Sequence, residues 1–140
     1  NNNISFEKIT DYWKDTGTPE DIIHANGEII KKMLECSEEK IDHIIGKHTI
    51  IESNVKINGP VIIGDNCHIA SGSSIGPNVS VGDNTTISVS NIENSIIMKN
   101  CKINSMAEIK NSIIANNSEI KDETGTKKIF LLGEGSKVSL

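Results

Sequence analysis

Aromatic residues are scarce in this chain, whose 140 residues include two Phe, one Tyr and one Trp. No apolar run approaches the roughly 18 residues that a membrane-spanning helix needs. The three cysteines show no CxxC spacing, which favours free thiols in a reducing cytoplasm over disulfides. The net charge of −5 argues against nucleic acid or an anionic membrane as the main partner. These shortages predict a cytoplasmic protein with a thin aliphatic core.

An aliphatic residue returns at every sixth position between residues 45 and 87. Neither a helix, with a period of 3.6, nor strand alternation gives this spacing. Hexapeptide repeats are typical of a β-helix, in which three short strands form one coil and coils stack about 4.8 Å apart. The residue two before each anchor is small or β-branched, because two inward side chains must share a narrow edge. The anchors are Ile45, Ile51, Ile57, Ile63, Ile69, Ile75, Val81 and Ile87, and the preceding small residues are Val55, Val61, Cys67, Ser73, Val79 and Thr85.

The series of regularly spaced aliphatic anchors continues beyond residue 87, with some steps of five residues instead of six. Its anchors there are Ile92, Ile97, Ile103, Ile109, Ile114 and Ile120. The segment 94–97 recurs at 111–114, seventeen residues later, so we expect both copies on the same face of successive coils. Gly-Asp-Asn at 64–66 and 82–84, and Gly-Pro-Asn at 76–78, are expected at corners, since Gly and Asn tolerate positive φ. At three anchors per coil, the pattern predicts a parallel β-helix of about five coils over residues 44–121.

A helix is predicted before the ladder, from Pro19 to about Glu35. Thr18 is the expected N-cap, and Pro19 and Asp21 suit the first turn. We expect this helix to cover the open first coil near Ile44 and Ile45, because terminal coils of repeat stacks require caps. Residues 4–14 are predicted to form an N-terminal strand. The expected division is therefore residues 1–40 for strand and helix, and residues 41–140 for an all-β domain with C-terminal capping strands.

The C-terminal tail, residues 127–140, contains four consecutive apolar residues at 129–132. Such a run is expected to avoid water by folding back along the triangular prism that the β-helix forms, or by crossing to a neighbouring copy. Related hexapeptide proteins pack prisms around a threefold axis. We therefore expect a homotrimer, with a dimer as the alternative.

Asp15, within Asp15-Thr16-Gly17, is the residue before the helix with a plausible chemical role. As an isolated motif it suits an ordinary turn, and Lys14 before it does not suit an aspartic protease. A hexapeptide acyltransferase using CoA would need a general-base histidine beside a loop that interrupts the repeat. His68 is expected to point outward, and no loop interrupts residues 45–87. One isolated histidine also does not make a zinc site.

The segment Tyr12-Trp13-Lys14-Asp15-Thr16-Gly17-Thr18-Pro19-Glu20-Asp21-Ile22-Ile23-His24-Ala25-Asn26 resembles the end of the catalytic domain in long-form glucose-1-phosphate thymidylyltransferases. Residues 131–140 are similar to the closing segment of that family, so the resemblance spans nearly the whole chain. Mannose-1-phosphate guanylyltransferases carry a related segment and are the nearest alternative. The resemblance implies a left-handed coil.

The resemblance also implies a function for the longer parent protein. A glucose-1-phosphate oxygen would attack the α-phosphorus of dTTP, giving dTDP-glucose and releasing pyrophosphate. Asp15 would help to hold the catalytic Mg²⁺, which prefers carboxylates and phosphates as ligands. Trp13, Thr16 and Gly17 are candidate substrate-binding residues. No Gly-rich nucleotide loop occurs in the sequence, and the chain begins at Asn1 without Met. We therefore expect an inactive C-terminal part that serves as a structural or oligomerisation module.

Overall fold

The computed structural model describes residues 17–140, apart from the side chain of Ser90. Within this range the chain forms one helix and 14 short strands. The predicted strand over residues 4–14 lies outside the described residues. The elements are α1 (Pro19–Glu35), β1 (His43–Ile45), β2 (Ile50–Ile51), β3 (Lys56–Ile57), β4 (Val61–Ile63), β5 (His68–Ile69), β6 (Ser74–Ile75), β7 (Val79–Val81), β8 (Thr86–Glu93), β9 (Ser95–Ile97), β10 (Lys102–Lys110), β11 (Ile113–Ile114), β12 (Glu119–Asp122), β13 (Leu131–Leu132) and β14 (Lys137–Ser139).

The strands stack in parallel on three faces of a prism. Face 1 contains β1, β4, β7, β9, β11 and β13. Face 2 contains β2, β5, β12 and β14, together with the first parts of β8 and β10. Face 3 contains β3 and β6, together with the second parts of β8 and β10. A bridge between Ile109 and Lys128 extends face 3. The described chain therefore makes about five coils, which confirms the predicted parallel β-helix. The left-handed sense of its coils remains a prediction.

The predicted anchors form continuous columns inside the prism. On face 2, strand register aligns one anchor of each coil with that of the next. This column consists of Ile51, Ile69, Ile87, Ile103, Ile120 and Val138. Its four central members are at most 2% exposed. The two copies of the repeated segment also align, because Ile96 pairs with Ile113 and Ile97 with Ile114. The six-residue period of the anchors and the shorter steps of five residues are therefore confirmed.

A second column inside the prism is polar and lies at the corner between faces 1 and 2. Each side chain donates a hydrogen bond to a carbonyl oxygen of the following coil. The bonds run from Thr49 Oγ1 to Gly64 (2.7 Å), Cys67 Sγ to Gly82 (3.2 Å), Thr85 Oγ1 to Met98 (3.1 Å), Cys101 Sγ to Ala115 (3.2 Å) and Ser118 Oγ to Gly133 (3.4 Å). Burial raises the pKa of Cys67 and of Cys101. These thiols therefore satisfy buried carbonyl groups and are poorly activated as nucleophiles.

Asparagines occupy the corners in the left-handed backbone region, as predicted for Asn66, Asn78 and Asn84. Successive corner side chains also bond to one another. Asn84 Nδ2 donates to Asn100 Oδ1 and Asn100 Nδ2 to Asn117 Oδ1, each at 3.2 Å. The corners therefore combine a backbone conformation that Asn tolerates with an amide ladder along the prism.

The C-terminal tail does not fold back along the prism, so that part of the prediction is wrong. Instead, β13 pairs in parallel with β11, and β14 with β12. Leu132 and Val138 follow Ile114 and Ile120 by eighteen residues, and both pack against the core. Phe130 is 6% exposed, while Leu131 points outward. The tail is thus the beginning of a sixth coil.

Helix α1 has the predicted bounds and N-cap but lies elsewhere than expected. It contacts β7 and β9 in the middle of face 1. Near its end, Leu34 lines a cleft with Asp42, and near its start Ile23 lines a groove with Leu131. The helix therefore runs along face 1 from the last coils towards the first. The prediction that it covers the first coil at Ile45 is wrong, since that side chain remains 38% exposed.

Face 1 receives the helix because its outward side is apolar. In β4, β9 and β11 an isoleucine precedes the inward anchor and points to the opposite side of the strand. These half-buried residues are Ile62, Ile96 and Ile113. In β7 the outward residue is Ser80, whose Oγ donates to Asn26 Oδ1 of α1 at 2.9 Å. The apolar outer surface of face 1 and the Ser80–Asn26 hydrogen bond thus help to hold the helix on this face.

Candidate functional site

Three of the four residues singled out from the sequence, Trp13, Asp15 and Thr16, lie outside the described residues. Gly17 is described and exposed, and a Cβ added to it would meet no atom within 4 Å. The described part of the chain therefore supplies no contact for a metal or substrate at Gly17. The metal role of Asp15 and the binding roles of its neighbours remain predictions.

The helix that follows Gly17 is held by its N-cap. Thr18 Oγ1 accepts a hydrogen bond from the Asp21 backbone N–H at 3.2 Å and donates one to Asp21 Oδ2 at 2.9 Å. Glu20 and Asp21 place acidic groups in the first turn, where the helix dipole favours them. This cap fixes the start of α1, whose Glu20 and Ile23 line a groove together with Leu131.

A groove of about 370 Å³ lies between the start of α1 and the neighbouring corner of the prism. The helix contributes charged and apolar side chains, the corner contributes stacked amides, and the last coil contributes an apolar wall. The lining residues with these roles are Glu20, Ile23, Glu28, Lys31, Asn78, Asn94, Asn111, Ile129 and Leu131. We call this the helix–corner groove.

Polar side chains that line the helix–corner groove pair largely with one another. Asn78 Nδ2 donates to Asn94 Oδ1 at 3.0 Å, and Lys31 Nζ lies 3.1 Å from Glu28 Oε1. Asn78 Oδ1 in this lining, and Asn26 Nδ2 on the helix, are buried without a hydrogen-bond partner among the described residues. The chain contains no arginine, the side chain best shaped to grip a phosphate in two places. The groove therefore has the features of a packing seam more than those of a phosphate-transfer site.

The histidine considered for acyl transfer lies where the sequence predicted. His68 is half-exposed on the outward side of β5, and its Nε2 lies 2.6 Å from Glu52 Oε1. The Ser71 backbone N–H donates to the other Glu52 oxygen at 2.8 Å. The Ser71 N–H, and then His68, lower the pKa of Glu52. Among residues 17–140, no group of three or more His, Cys, Asp or Glu side chains is placed to hold a metal ion.

A buried ion pair near the C-terminus could not be found from the sequence. Asp122 is 1% exposed, and its Oδ2 lies 3.1 Å from Lys128 Nζ. Asp122 Oδ1 accepts from the Thr124 N–H at 2.9 Å and from Thr124 Oγ1 at 2.7 Å. Thr124 and then Lys128 hold the pKa of Asp122 at about 2. This cluster closes the loop that connects β12 to the sixth coil, so its role is structural.

The model of the GMPPB C-terminal domain matches residues 57–139, which is more than half of the chain. The chain belongs to this family. The matched range covers the prism from β3 to β14, where the hexapeptide repeats lie.

Among the described residues, no helix is long and apolar enough to cross a membrane.

Three curated proteins are also similar to this chain, and the alignment with the first is long enough to extend beyond the prism. A glucose-1-phosphate thymidylyltransferase of Streptomyces antibioticus is 34% identical over 94% of this chain and 39% of its own length. One from Streptomyces griseus is 28% identical over 70% of this chain and 29% of its own length. A bifunctional protein GlmU of Methanococcus aeolicus is 34% identical over 73% of this chain and 27% of its own length. No solved structure matches significantly.

These comparisons confirm the family resemblance inferred from the sequence. The chain corresponds to the C-terminal part of glucose-1-phosphate thymidylyltransferase homologues and spans less than two fifths of the length of each relative.

Proposed function

We propose that this chain is the C-terminal β-helix part of a sugar nucleotidyltransferase that makes dTDP-glucose and pyrophosphate from dTTP and glucose-1-phosphate. The observation that carries the proposal is the alignment with the thymidylyltransferase of Streptomyces antibioticus, which extends over 94% of this chain. An alignment of that extent includes part of the segment before the prism as well as the repeats. Repeats alone are shared by proteins of different activities, so the extra coverage favours this parent.

The β-helix itself is proposed to act as a structural and oligomerisation module. Its interior is filled by aliphatic columns and by hydrogen-bonded hydroxyls and thiols, which leaves no room for a substrate. Phosphoryl transfer depends on cations and positioned groups around the phosphates. Residues 17–140 offer neither arginine nor a cluster of acidic metal ligands. The isolated chain is therefore expected to be inactive, in a cytoplasmic setting.

Mg²⁺ and Asp15 belong to the proposal only in the longer protein. The described residues do not by themselves fit a metal ion, so no step is assigned through one. Asp15 would be a metal ligand, and Trp13, Thr16 and Gly17 would contact substrate, together with groups supplied from elsewhere in the protein. In that arrangement, Thr18 and the first turn of α1 would anchor the site to the prism.

The test measures pyrophosphate release with dTTP and glucose-1-phosphate in the presence of Mg²⁺. The isolated chain should release none, and a longer product carrying it at the C-terminus should be active. In that product, Asp15→Asn should lower kcat and raise the Mg²⁺ concentration needed for half-maximal rate, since a charged ligand is lost. Lys14→Gln is the neighbouring control. Unchanged activity of Asp15→Asn across the Mg²⁺ titration would refute the metal role.

A guanylyltransferase is the second candidate parent, because the matching family model is the GMPPB C-terminal domain. The same assay with GTP and mannose-1-phosphate separates the two. A clear preference of the longer product for that pair would replace the thymidylyltransferase assignment without changing the role of the prism.

Self-association is also proposed, since a homotrimer was expected from related hexapeptide proteins, with a dimer as the alternative. The tail was one reason to expect contact with a neighbour, but it continues its own prism as β13 and β14.

A further inference from the structure

Two asparagines in the sequence are followed directly by glycine, in Asn26-Gly27 and in Asn58-Gly59. Because glycine has no Cβ, its backbone nitrogen can approach the side-chain carbonyl carbon of the preceding asparagine with little steric hindrance. Attack of that nitrogen on the asparagine Cγ closes a five-membered ring and releases ammonia. An Asn-Gly pair can therefore change into an acid without an enzyme, provided that the surrounding structure lets the two groups meet.

The structure holds Asn26-Gly27 against this reaction. Both residues lie inside α1, where backbone N–H groups are bonded along the helix. Gly27 is buried, and Asn26 Oδ1 accepts a hydrogen bond from Ser80 Oγ at 2.9 Å. The side-chain amide of Asn26 is thus fixed towards the prism, and ring closure requires both the helix and this contact to open.

Asn58-Gly59 lies at a corner that follows β3. The Asn58 side chain is exposed, and its Nδ2 lies 3.4 Å from Ser74 Oγ, which is longer than an ordinary hydrogen bond. The Asn58 backbone N–H donates to the Ile75 carbonyl at 2.8 Å, so the chain is held on the side before the reacting groups. The side-chain amide is only weakly held, and water reaches it directly.

A carboxylate lies beside the nitrogen that would attack. His43, and more weakly the Gly59 backbone N–H, lower the pKa of Asp42, so this side chain is ionised at neutral pH. A Cβ added to Gly59 would overlap the Asp42 carbonyl oxygen, so the close approach of the two residues depends on glycine. Attack requires the Gly59 nitrogen to lose its proton, and a neighbouring carboxylate can accept it.

The corner at Asn58 belongs to the first coil. In the described part of the chain, the strands of this coil pair with the next coil only: β1 with β4, β2 with β5 and β3 with β6. A terminal coil of a repeat stack opens more readily than a central one, since it lacks one set of contacts between coils. Such openings supply the backbone freedom that ring closure needs.

We propose that Asn58 is a site of spontaneous deamidation. The Gly59 nitrogen bonds to Asn58 Cγ, the Asn58 Nδ2 leaves as ammonia with the proton from Gly59, and a succinimide forms. Water then opens this ring at either carbonyl and gives aspartate or isoaspartate. Both products add a carboxylate near Asp42, and isoaspartate also lengthens the backbone by one carbon. The first coil is loosened, while the central coils are left intact.

Peptide mass spectrometry of the 140-residue chain, kept folded at neutral pH, tests the site. The peptide that contains Asn58 should gain the mass difference between an amide and an acid and should separate into aspartate and isoaspartate forms. The peptide that contains Asn26 is the internal control. It should react at least about tenfold more slowly, since two hydrogen bonds must first break. In urea the two rates should converge. Equal rates in the folded chain, or a reaction at Asn58 that occurs only in urea, would overturn the proposal.

Two variants test the consequence for the first coil. Asn58→Asp reproduces one product and should speed hydrogen exchange over residues 43–58 while leaving residues 103–120 unchanged. Asn58→Gln is the matched control, because it keeps an amide whose longer side chain cannot close a five-membered ring. It should show no mass gain at this position and should retain the exchange of the unsubstituted chain. Equal exchange of the two variants would show that the new charge does not loosen the coil.

Discussion

Ile87 lies in the middle of the face 2 column and provides the sharpest test of how the prism is stabilised. It is fully buried between Ile69 and Ile103. Ile87→Ala removes three carbons, worth about 2.4 kcal/mol in transfer free energy alone. Neighbouring coils are held by backbone hydrogen bonds and cannot close onto the space, so a cavity adds to the loss. We expect a decrease of about 3–5 kcal/mol in the free energy of unfolding.

Urea unfolding followed by circular dichroism measures this loss, provided that the slope m is unchanged. Ile50→Ala is the control, since the outward, 59% exposed side chain should change stability by no more than about 0.5 kcal/mol. Ile51→Ala, in the half-buried first coil, should fall between the two because it has a neighbouring anchor on one side only. Equal losses at Ile51 and Ile87 would contradict the column as the source of stability.

Two further predictions concern a corner and a buried charge. Gly76 has φ of 105°, and an added Cβ would overlap the Asn58 carbonyl oxygen, so Gly76→Ala should lower the free energy of unfolding by about 2–6 kcal/mol. Gly72→Ala, at φ of 81° with no atom within 4 Å, should cost about 1–3 kcal/mol, and equal thermal denaturation of both variants would refute the overlap. Asp122 has its pKa lowered from 3.8 to about 2, so the stability it contributes is present above pH 3.8 and is lost as pH falls through about 2. The difference in unfolding free energy between the unsubstituted chain and Asp122→Asn should therefore shrink on acidification, whereas a constant difference down to about pH 2 would rule out the charge as its cause.

The interior of the prism was predictable because one residue type at one spacing defines it. A side chain that points inward once per strand, with strands turning every six residues, leaves a period that no helix or isolated strand produces. The steps of five residues could also be recognised from the sequence. The segment 94–97 recurs at 111–114, so one coil there takes seventeen residues, which requires two steps of six and one of five. Cys67 and Thr85 of the hydrogen-bonded column were visible in the sequence only as small residues. Its carbonyl partners depend on the stacking of coils, which a linear pattern does not contain.

The sixth coil was missed because its anchors are Leu132 and Val138 and a polar loop separates them from the isoleucine ladder. The signal was distance, since both follow earlier anchors by eighteen residues, a full coil of three six-residue steps. The same loop runs between Asp122, at the end of β12, and Lys128, and the ion pair of these two residues, six apart, leaves no periodic trace. Four consecutive apolar residues suggested a tail that folds back or crosses to a neighbouring copy, yet alternate ones enter the core and leave Ile129 and Leu131 outside.

The position of the helix had a signal that the period of six concealed. Every hexad contributes an inward anchor, but Ile62-Ile63, Ile96-Ile97 and Ile113-Ile114 are doublets that all fall on face 1, whereas face 2 has one such doublet, Ile50-Ile51. The second isoleucine of each doublet fills the prism, so the first must point outward on that face. A face with an apolar outer side needs a cover, whereas an open coil end can be closed in several ways. Apolar residues outside the period therefore indicate where a solenoid meets its neighbours.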